Sequence, residues 1–283
     1  MKKSSGKERG RKHVKQFGCV VFILFLLFVF FGVVSSYRLT VSRHEIRTPK
    51  LNGAVRLLLI ADLHSCWYGK DQTTLVRAVE AEQPDVLMFC GDIGDDGIPI
   101  ENAEILTRTL SGRYPSFYVT GNHEYWTGDI EGVKNVFRRC GLTILEGDIM
   151  NIQVRGETLT ICGIDDPESG HFQSQLASAT AGTETGLYSI LLAHRPELFI
   201  QYAAAGFDLV LSGHTHGGLW RIPGLMNGFV SPNQGFFPKY TSGLYTEGNT
   251  TMIVSRGLAR ESTRIPRFFN PVELVVIDLL PMD

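Results

Sequence analysis

The segment that decides the fold runs from residue 55 to residue 64 and reads VRLLLIADLH. Residues 55–61 are apolar except for Arg56, and such a run is typical of a strand buried on both faces. The chain then becomes polar at Asp62 and His64. Side chains two residues apart on an extended chain project to the same side, so these two could grip one cation. Taken alone, however, this D-x-H sequence is better explained by an Asp that caps a turn next to a His on the surface than by a cation site.

Two further units of helix and strand follow the first strand. The pattern predicts helices near Asp71–Glu82 and Ile100–Ser111, and buried strands at Val86–Cys90 and Ser116–Thr120. An alternation of strands with helices of this length indicates an α/β layered domain with a largely parallel sheet.

The rhythm changes after a helix predicted near Ile130–Cys140. Short strands separated by turn residues then indicate a meander or a second sheet. These strands are predicted at Leu142–Leu145, Ile149–Arg155 and Thr158–Ile164. Four later runs are predicted to be further core strands: Leu187–Ala193, Phe207–Leu211, Thr251–Ser255 and Val272–Leu279.

Five segments at predicted strand ends carry side chains that bind divalent cations. The segments are Asp62-Leu63-His64, Gly91-Asp92, Gly121-Asn122-His123-Glu124, His194 and Gly213-His214-Thr215-His216. Because the carboxyl ends of strands in α/β sheets meet at one edge, we expect these side chains to converge. Five such ends in order predict seven oxygen or nitrogen ligands, enough to hold two cations side by side.

This ordered set resembles the motifs of the calcineurin-like metallophosphoesterase superfamily, which read D-x-H, G-D-x-x-D/N, G-N-H-D/E, a lone His and G-H-x-H. The second motif is Gly91-Asp92-Ile93-Gly94-Asp95 here, and the third ends in Glu124. Residues 163–167 and 231–240 look like the bacterial membrane-associated branch of that family. The resemblance covers roughly residues 55–280 and implies an α/β fold in which a layered β-sandwich of two mixed sheets is flanked by helices.

The resemblance also implies a role for each motif residue. The ligands would form two groups of three: Asp62, His64 and His216 for the first cation, and Asn122, His194 and His214 for the second. Asp92 would bridge the two cations, and a hydroxide held between them would attack phosphorus in line. A mixed set of carboxylate, amide and imidazole suits Mn²⁺, Fe²⁺ or Zn²⁺ better than Ca²⁺.

His123 is the motif histidine that the resemblance leaves off the cations. It would protonate the leaving oxygen or stabilise the developing charge, with Asp92 or Glu124 near enough to influence its pKa. His123 and Asp92 are therefore the expected catalytic residues. Asp95 is expected either to orient a metal ligand or to cap a turn.

The charge of the chain is unevenly distributed. Residues 1–16 contain seven Lys and Arg against one Glu, a local charge of +6, whereas the whole chain carries −2. The remaining residues therefore carry about −8, which argues against a nucleic-acid surface as the main partner of the domain. With 43% apolar and 20% charged residues, a packed core is expected.

The N-terminal region predicts a membrane anchor. Residues 17–34 are uncharged and mostly Phe, Val, Leu and Ile, and this length can just span a bilayer core. We predict a basic cytoplasmic tail at 1–16, a transmembrane helix at 17–36, a tether or first edge strand at 37–50 and the catalytic domain at 51–283. The excess of Lys and Arg before the span places the N-terminus in the cytoplasm and the domain outside, in a single-pass protein of the cell membrane.

Two observations weaken this topology. Val34-Ser35-Ser36 is a passable cleavage site, so a removed signal peptide is the competing interpretation, although the apolar run is long for a signal core. The five cysteines are scattered without metal-site or disulfide spacing, which favours a reducing compartment.

Substrate determinants are faint in the sequence. The tract from Leu219 to Tyr245 combines Gly and Pro with several aromatic residues. It is either a long loop that packs on its own domain or an apolar surface that meets lipid or an acyl chain. Five basic residues could contact phosphate or simply be solvated: Lys239, Arg256, Arg260, Arg264 and Arg267.

The leading hypothesis is a membrane-anchored dinuclear metal hydrolase of a phosphomonoester, phosphodiester or pyrophosphate, with a lipid-linked or envelope substrate preferred. The rival from another class is a scaffold that keeps the fold, has no catalytic activity and binds a protein partner at the membrane. Scaffolds of that kind typically lose metal ligands, whereas all seven expected ligands are present here.

Overall fold

The computed structural model describes residues 4–183, 186–260, 263 and 265–282. Within these residues the α-helices are α1 Ser4–Ser36, α2 Thr73–Glu82, α3 Glu101–Ser111, α4 Asn122–Trp126, α5 Ile130–Cys140, α6 Phe172–Ala181 and α7 Phe199–Ala204. Helices α4 and α6 were not expected from the sequence. The first is only five residues long, and the second is rich in Ser, Thr and Gln, so neither gives a strong helical pattern.

Most strands lie within a residue or two of their predicted positions. They are β1 Thr40–Thr48, β2 Val55–Ile60, β3 Val86–Cys90, β4 Ser116–Val119, β5 Thr143–Ile144, β6 Ile149–Val154, β7 Glu157–Gly163, β8 Tyr188–Leu192, β9 Leu209–Ser212, β10 Val230–Ser231, β11 Gly235–Phe236, β12 Gly243–Glu247, β13 Thr250–Val254 and β14 Glu273–Pro281. The small hairpin of β10 and β11 stands outside the two main sheets.

Two six-stranded mixed sheets form the domain, as the resemblance implied. The first has the order β1-β14-β2-β3-β4-β5, and the second has the order β12-β13-β9-β8-β7-β6. In the first sheet β2 to β5 are parallel and β14 runs antiparallel to β2. In the second sheet β7, β8, β9 and β13 are parallel, and an antiparallel strand closes each edge.

The residues of β2 explain why its sequence is almost continuously apolar. Leu57 and Leu59 belong to the core between the two sheets, and Leu58 and Ile60 belong to the core beneath the helices on the outer face. Alternate side chains of a strand point to opposite faces, so a strand covered on both sides needs apolar residues throughout. A third cluster packs α6 and α7 on the outer face of the second sheet, which gives four layers.

Of the two expectations for residues 37–50, a tether or a first edge strand, the structure has the edge strand. Thr40–Thr48 is an edge strand that pairs in parallel with β14 over nine residues, so this stretch belongs to the sheet. The boundary expected at residue 51 therefore falls inside the folded domain. Helix α1 ends four residues before β1, and its stretch Gln16–Ser36 is long and apolar enough to cross a membrane, by length and composition.

Candidate metal centre

The seven expected ligands lie together at one edge of the two sheets. Asp62 and His64 follow β2, Asp92 follows β3, and Asn122 opens α4 directly after β4. From the second sheet, His194 follows β8, while His214 and His216 follow β9. All seven are buried, with at most 8% of their surface exposed.

The ligands form two clusters. The ligand atoms of Asp62, His64 and His216 lie within 4.8 Å of one another, and so do those of Asp92, His194 and His214. Asp92 stands between the clusters, since its Oδ2 is 3.1 Å from Nε2 of His194 and 3.6 Å from Nε2 of His64. This is the position that a bridging carboxylate requires.

Several fully buried polar atoms of the seven expected ligands make no well-oriented hydrogen bond, although Asp92 Oδ2 and His194 Nε2 lie 3.1 Å apart. They are His64 Nε2, Asp92 Oδ2, Asn122 Oδ1, His194 Nε2 and His216 Nδ1. Buried polar atoms are normally paired, because an unmade hydrogen bond costs about 1–3 kcal/mol. Unpaired nitrogen and oxygen atoms that converge are therefore what a site for divalent cations of the Mn²⁺, Fe²⁺ and Zn²⁺ type would present.

The backbone at the ligands is strained. Asp62, His64, Asp92, His214 and His216 all have φ between 47° and 70°. Residues other than Gly adopt this left-handed region rarely and at a cost of order 1–3 kcal/mol each. Five such residues within one site show that the turns are held in place to aim these side chains, rather than to form ordinary loops.

Glycine 121 provides the space in which Asp92 sits. A Cβ at this position would overlap the Asp92 carboxylate and its backbone nitrogen. The glycines in the motifs therefore let one ligand loop approach another closely.

Mutual electrostatics set the charge of the ligands. Burial opposes ionisation of Asp92, but His194 and His64 hold the pKa of its carboxyl well below the ordinary value. Burial and the neighbouring His194 lower the pKa of His214 to about 3, and burial lowers that of His216 well below its usual range. The anionic Asp92 and the neutral imidazoles of His214 and His216 are in the protonation states that cation binding needs. Burial opposes protonation of His194 and His64, but neighbouring carboxylates, Asp92 among them, raise the pKa of His194 to about 10 and raise that of His64. These two imidazoles would therefore release a proton when a cation binds.

Glu124 has a structural role at the centre. Its carboxylate accepts backbone N–H bonds from Asp92, Ile93, Gly94 and Gly121, at 2.7–2.9 Å. Burial raises its pKa to about 7, with a further contribution from Asp92. Glu124 therefore holds in place the loop that carries Asp92, the expected bridging carboxylate. Glu124 was expected close to His123 as an influence on that residue's pKa, but its carboxylate is bonded to the loop that carries Asp92.

His123 lies at the mouth of the site and is oriented by Asp96, which was not predicted from the sequence. Its Nδ1 is 2.6 Å from Oδ1 of Asp96, which leaves Nε2 free to meet a substrate in the cleft. The adjacent Asp95 fulfils both expected roles at once. One of its oxygens binds Nδ1 of His64 at 2.7 Å, and the other caps the turn at Gly97.

Three other residues around the site were also not recognised in the sequence. Arg195 lines the inner cleft and is held by a bidentate pair with Asp166, at 2.7 and 2.8 Å. Asn233 binds Nε2 of His214 at 2.8 Å. Asn270 donates to the backbone oxygen of His216 at 2.7 Å. Each contact joins residues far apart in the chain, so spacing gives no signal for it. Asp96 and Arg195 do lie next to motif residues, Asp95 and His194, where the local sequence could have indicated them.

The basic residues expected near phosphate fall into different environments. Arg256 pairs with Glu273, and Lys239 is exposed beside Tyr240. Arg260 stacks on the ring of Tyr68, while Arg267 is buried and donates to the backbone of Arg256. Arg264 lies outside the described residues. Among the described cations, Arg195 is the one that lines the cleft beside the ligands.

The cleft above the ligands has a volume of about 510 Å³ and a mixed lining. Polar groups such as His64, His123 and Asp96 line it together with the apolar side chains of Trp126, Leu219 and Ile265. The cleft can therefore receive an anionic group at the ligands and an apolar group beside it.

Comparison with known proteins identifies relatives of this chain. A family profile described as calcineurin-like phosphoesterase matches residues 55–218, more than half of the chain. An uncharacterized metallophosphoesterase of Campylobacter jejuni is 29% identical over 245 residues, covering 83% of this chain and 62% of its own. A zebrafish transmembrane protein with a metallophosphoesterase domain is 31% identical over 225 residues, covering 73% of this chain and 49% of its own. The chain thus spans about half to two thirds of these relatives' lengths.

A solved structure supports the fold. The NAD nucleotidase of Haemophilus influenzae superposes with a TM-score of 0.52 at 15% identity, covering 73% of this chain and 46% of the other. At this identity the likeness concerns the fold alone. It agrees with two mixed sheets flanked by helices.

Proposed function

This chain belongs to the calcineurin-like phosphoesterase family, and from that premise we propose that it hydrolyses a phosphoester or pyrophosphate bond with two divalent cations. Phosphoester hydrolysis and metal binding follow from the family. The residue assignment, the number of cations and the membrane setting are our proposals. We assign Asp62, His64 and His216 to one cation, Asn122, His194 and His214 to the other, and Asp92 to both.

The observation that carries this proposal is the set of unpaired buried atoms around Asp92. Five buried nitrogen and oxygen atoms from five different loops lie around Asp92 without a well-oriented hydrogen bond, and the one close pair among them, Asp92 Oδ2 and His194 Nε2, is an ion-pair contact at 3.1 Å. A scaffold that used the fold only to bind a partner would gain nothing from such atoms, since each one destabilises the folded state. A pair of cations gives all of them a partner.

The reaction would divide its tasks among the residues of the cleft. Two divalent cations, when bound, would act as Lewis acids on the phosphoryl oxygens and lower the pKa of a coordinated water. His123 would protonate the leaving oxygen through Nε2, because Asp96 occupies its Nδ1. Arg195, fixed by Asp166, would hold a phosphoryl oxygen in place for in-line attack.

We further propose that α1 anchors the enzyme in a membrane. The stretch Gln16–Ser36 has the length of a span, and the related zebrafish protein is described as a transmembrane protein. Ser36 is buried and bonded to the domain, which disfavours removal of the helix at residues 34–36. The basic residues before the span favour a cytoplasmic N-terminus and an extracytoplasmic domain. A lipid-linked or envelope phosphoester is the substrate class that this location favours.

A metal and activity assay on the purified full-length chain tests the proposal. After reconstitution with Mn²⁺, Fe²⁺ or Zn²⁺, the enzyme should hydrolyse a soluble aryl phosphodiester or phosphomonoester. Asp92→Asn and His214→Ala should abolish turnover and lower bound metal measured by elemental analysis. His171→Ala, an exposed histidine far from the ligands in the sequence, is the matched control and should keep both. Full activity and unchanged metal in either ligand variant would refute the assignment.

A further inference from the structure

Strand directions place the end of α1 and the metal ligands at the same edge of the domain. Thr40 at the start of β1 pairs with Glu273 at the start of β14. Strand β14 runs antiparallel to β2, so its start lies beside the end of β2, where Asp62 follows. The end of α1 therefore meets the domain on the side of the site, and not on the opposite end of the sheets.

Direct contacts fix this placement. The ring of Phe28 in α1 lies 5.5 Å from that of Phe268 and 5.0 Å from that of Phe269. The backbone N–H of Phe269 donates to the oxygen of Gly32 at 2.8 Å. A Cβ on Gly32 would overlap the Phe268 ring, so the glycine lets the loop approach the helix.

Two hydrogen bonds join the end of α1 to a metal ligand. The hydroxyl of Ser36 accepts from the backbone N–H of Asn270 at 3.1 Å. The side chain of Asn270 then donates to the backbone oxygen of His216 at 2.7 Å. Both Ser36 and Asn270 are buried. The helix end and the site thus form one packed unit.

The length of the span sets the depth of these contacts. Gln16–Ser36 has 21 residues, about 32 Å at 1.5 Å per residue, which barely exceeds a hydrocarbon core of about 30 Å. If the helix moved along the membrane normal by more than one or two residues, its apolar stretch would no longer span the hydrocarbon core. Gly32 and Phe28 lie four and eight residues before the end, about 6 and 12 Å below it. Phe268 and Phe269, which contact them, would therefore lie within the outer part of the apolar layer.

An aromatic series continues from these residues across the surface. Trp220 pairs with Phe268, and its ring stacks on Phe229 at 5.8 Å. Phe229 in turn contacts Phe236 and Phe237 at 5.3 and 5.6 Å. Trp220 lies only four residues after His216. The series therefore runs from the helix past the mouth of the site.

We call the outward-facing apolar side chains of this surface the rim: Trp220, Leu225, Phe236, Phe237 and Ile265. Leu225 is 81% exposed, and Phe236 and Phe237 are 68% and 69% exposed. Isolated apolar residues on a surface need no explanation, but a contiguous exposed group marks an interaction surface. Tyr37, at the end of the span, and Trp220 are of the residue types enriched where membrane meets water.

We propose that the rim inserts into the same bilayer that α1 spans, as a second membrane contact, so that the cleft opens at the level of the lipid headgroups. Ile265 belongs to both the rim and the cleft wall, which would join the apolar layer to the site. A lipid substrate would then present its phosphoester to the ligands without leaving the membrane. This inference rests on the proposed span and deepens the proposed function by naming the surface that delivers the substrate.

Depth-dependent fluorescence quenching in phosphatidylcholine vesicles tests the rim directly. The full-length chain with Cys19→Ala, whose other cysteines are buried, would receive one environment-sensitive label at Leu225→Cys or Phe236→Cys. Asn249→Cys is the control, because it lies in the exposed β12–β13 turn at the opposite end of the second sheet. Nitroxide lipids should quench the two rim labels at least about threefold more strongly than the control label. Bound metal verifies that each variant is folded.

The inference would be overturned if nitroxide lipids quenched all three labels equally and iodide in the aqueous phase quenched the rim labels. Rim labels protected from both quenchers would overturn it as well, and would indicate a protein or a second copy on this surface. The readout does not need turnover. An inactive chain with an inserted rim would refute the proposed function alone, and an active chain with a water-exposed rim would refute the rim alone.

Discussion

At the scale of single residues, the centre separates cation binding from proton transfer through two neighbouring carboxylates. Asp95 binds Nδ1 of His64, an expected metal ligand, at 2.7 Å, and Asp96 binds Nδ1 of His123, the expected proton donor, at 2.6 Å. Asp95 Oδ2 is farther from Nδ1 of His123, at 3.5 Å. Adjacent residues thus fix the orientation of two imidazoles with different tasks. A hydrogen bond to one ring nitrogen determines what the other can do.

Asp96→Asn should therefore lower turnover without changing metal content. The amide cannot stabilise a protonated His123, so proton donation to the leaving oxygen suffers. We expect a fall in kcat of about tenfold to a hundredfold for an alkyl phosphoester, within the range of general acid catalysis. An aryl ester, whose leaving group needs no proton, should be affected much less.

Asp95→Asn provides the contrast. It should weaken metal retention, because it loosens a ligand, and it should affect alkyl and aryl esters alike. If Asp96→Asn lowers both activities equally together with bound metal, the separation of tasks is wrong.

Glu124→Ala should destabilise the whole site, because four backbone N–H groups lose their acceptor. Buried unpaired donors cost about 1–3 kcal/mol each, and water entering the space reduces this, so a loss of about 3–5 kcal/mol is expected. Thermal unfolding followed by circular dichroism should show it. Glu124→Gln keeps one acceptor oxygen, so its Tm should lie between that of Glu124→Ala and that of the unsubstituted chain. An unchanged Tm in Glu124→Ala would show that the hydrogen bonds to the Glu124 carboxylate do not stabilise the fold.

At the scale of elements, a buried ion pair connects helix α5 with the second sheet. Lys134 is almost fully buried and binds Asp165, which follows β7, at 3.0 Å, and Glu146 at 2.7 Å. Burial lowers the pKa of Lys134, but Glu146 and Asp165 raise it above the ordinary value. Asp165 also accepts from Thr120 beside the third motif, so this pair supports the loop that carries Asn122.

Lys134→Ala should cost about 3–5 kcal/mol of folding stability, because it leaves buried Asp165 without its cation. Arg138→Ala, one turn further along α5, removes exposed pairs with Glu131 and Glu146 and an exposed hydrogen bond to Asn135, and should cost less than about 1 kcal/mol. Urea unfolding of the two variants measures the difference. Equal losses would contradict the role given to burial.

The elements also show which parts of the fold local sequence patterns can predict. Strand β2 and its polar end were predictable, because a continuous run of apolar residues indicates burial on both faces and the change to polar residues at Asp62 follows it directly. Strand β1 could not be separated from a tether, since its pairing with β14 joins segments more than 200 residues apart. The same reason hides Asn233 and Asn270, whose partners are distant in the chain.

At the scale of the whole molecule, binding of the cations should be coupled to folding. The ligands come from both sheets, so cations that bind the folded chain alone stabilise the sandwich by about 2.7 kcal/mol for each site at one hundred times its Kd. Adding Mn²⁺ should raise Tm by several degrees and a chelator should reverse this. In His214→Ala the increase should be smaller, which differential scanning calorimetry can measure.

The rim predicts a difference between membrane-bound and soluble substrates. An Asp at the centre of a span costs about 2.5–3.5 kcal/mol on insertion scales, and at the interface we expect about half of that. Leu225→Asp should therefore lower kcat/KM on a bilayer phospholipid or lipid-linked pyrophosphate by about tenfold, since 1.4 kcal/mol corresponds to that factor. Asn249→Asp, at the opposite end of the second sheet, changes charge equally and should leave this rate within about twofold. Leu225 is not among the residues that line the cleft. A loss confined to the bilayer substrate would therefore locate the effect at the membrane, and an equal loss on a soluble aryl ester would locate it in the site itself.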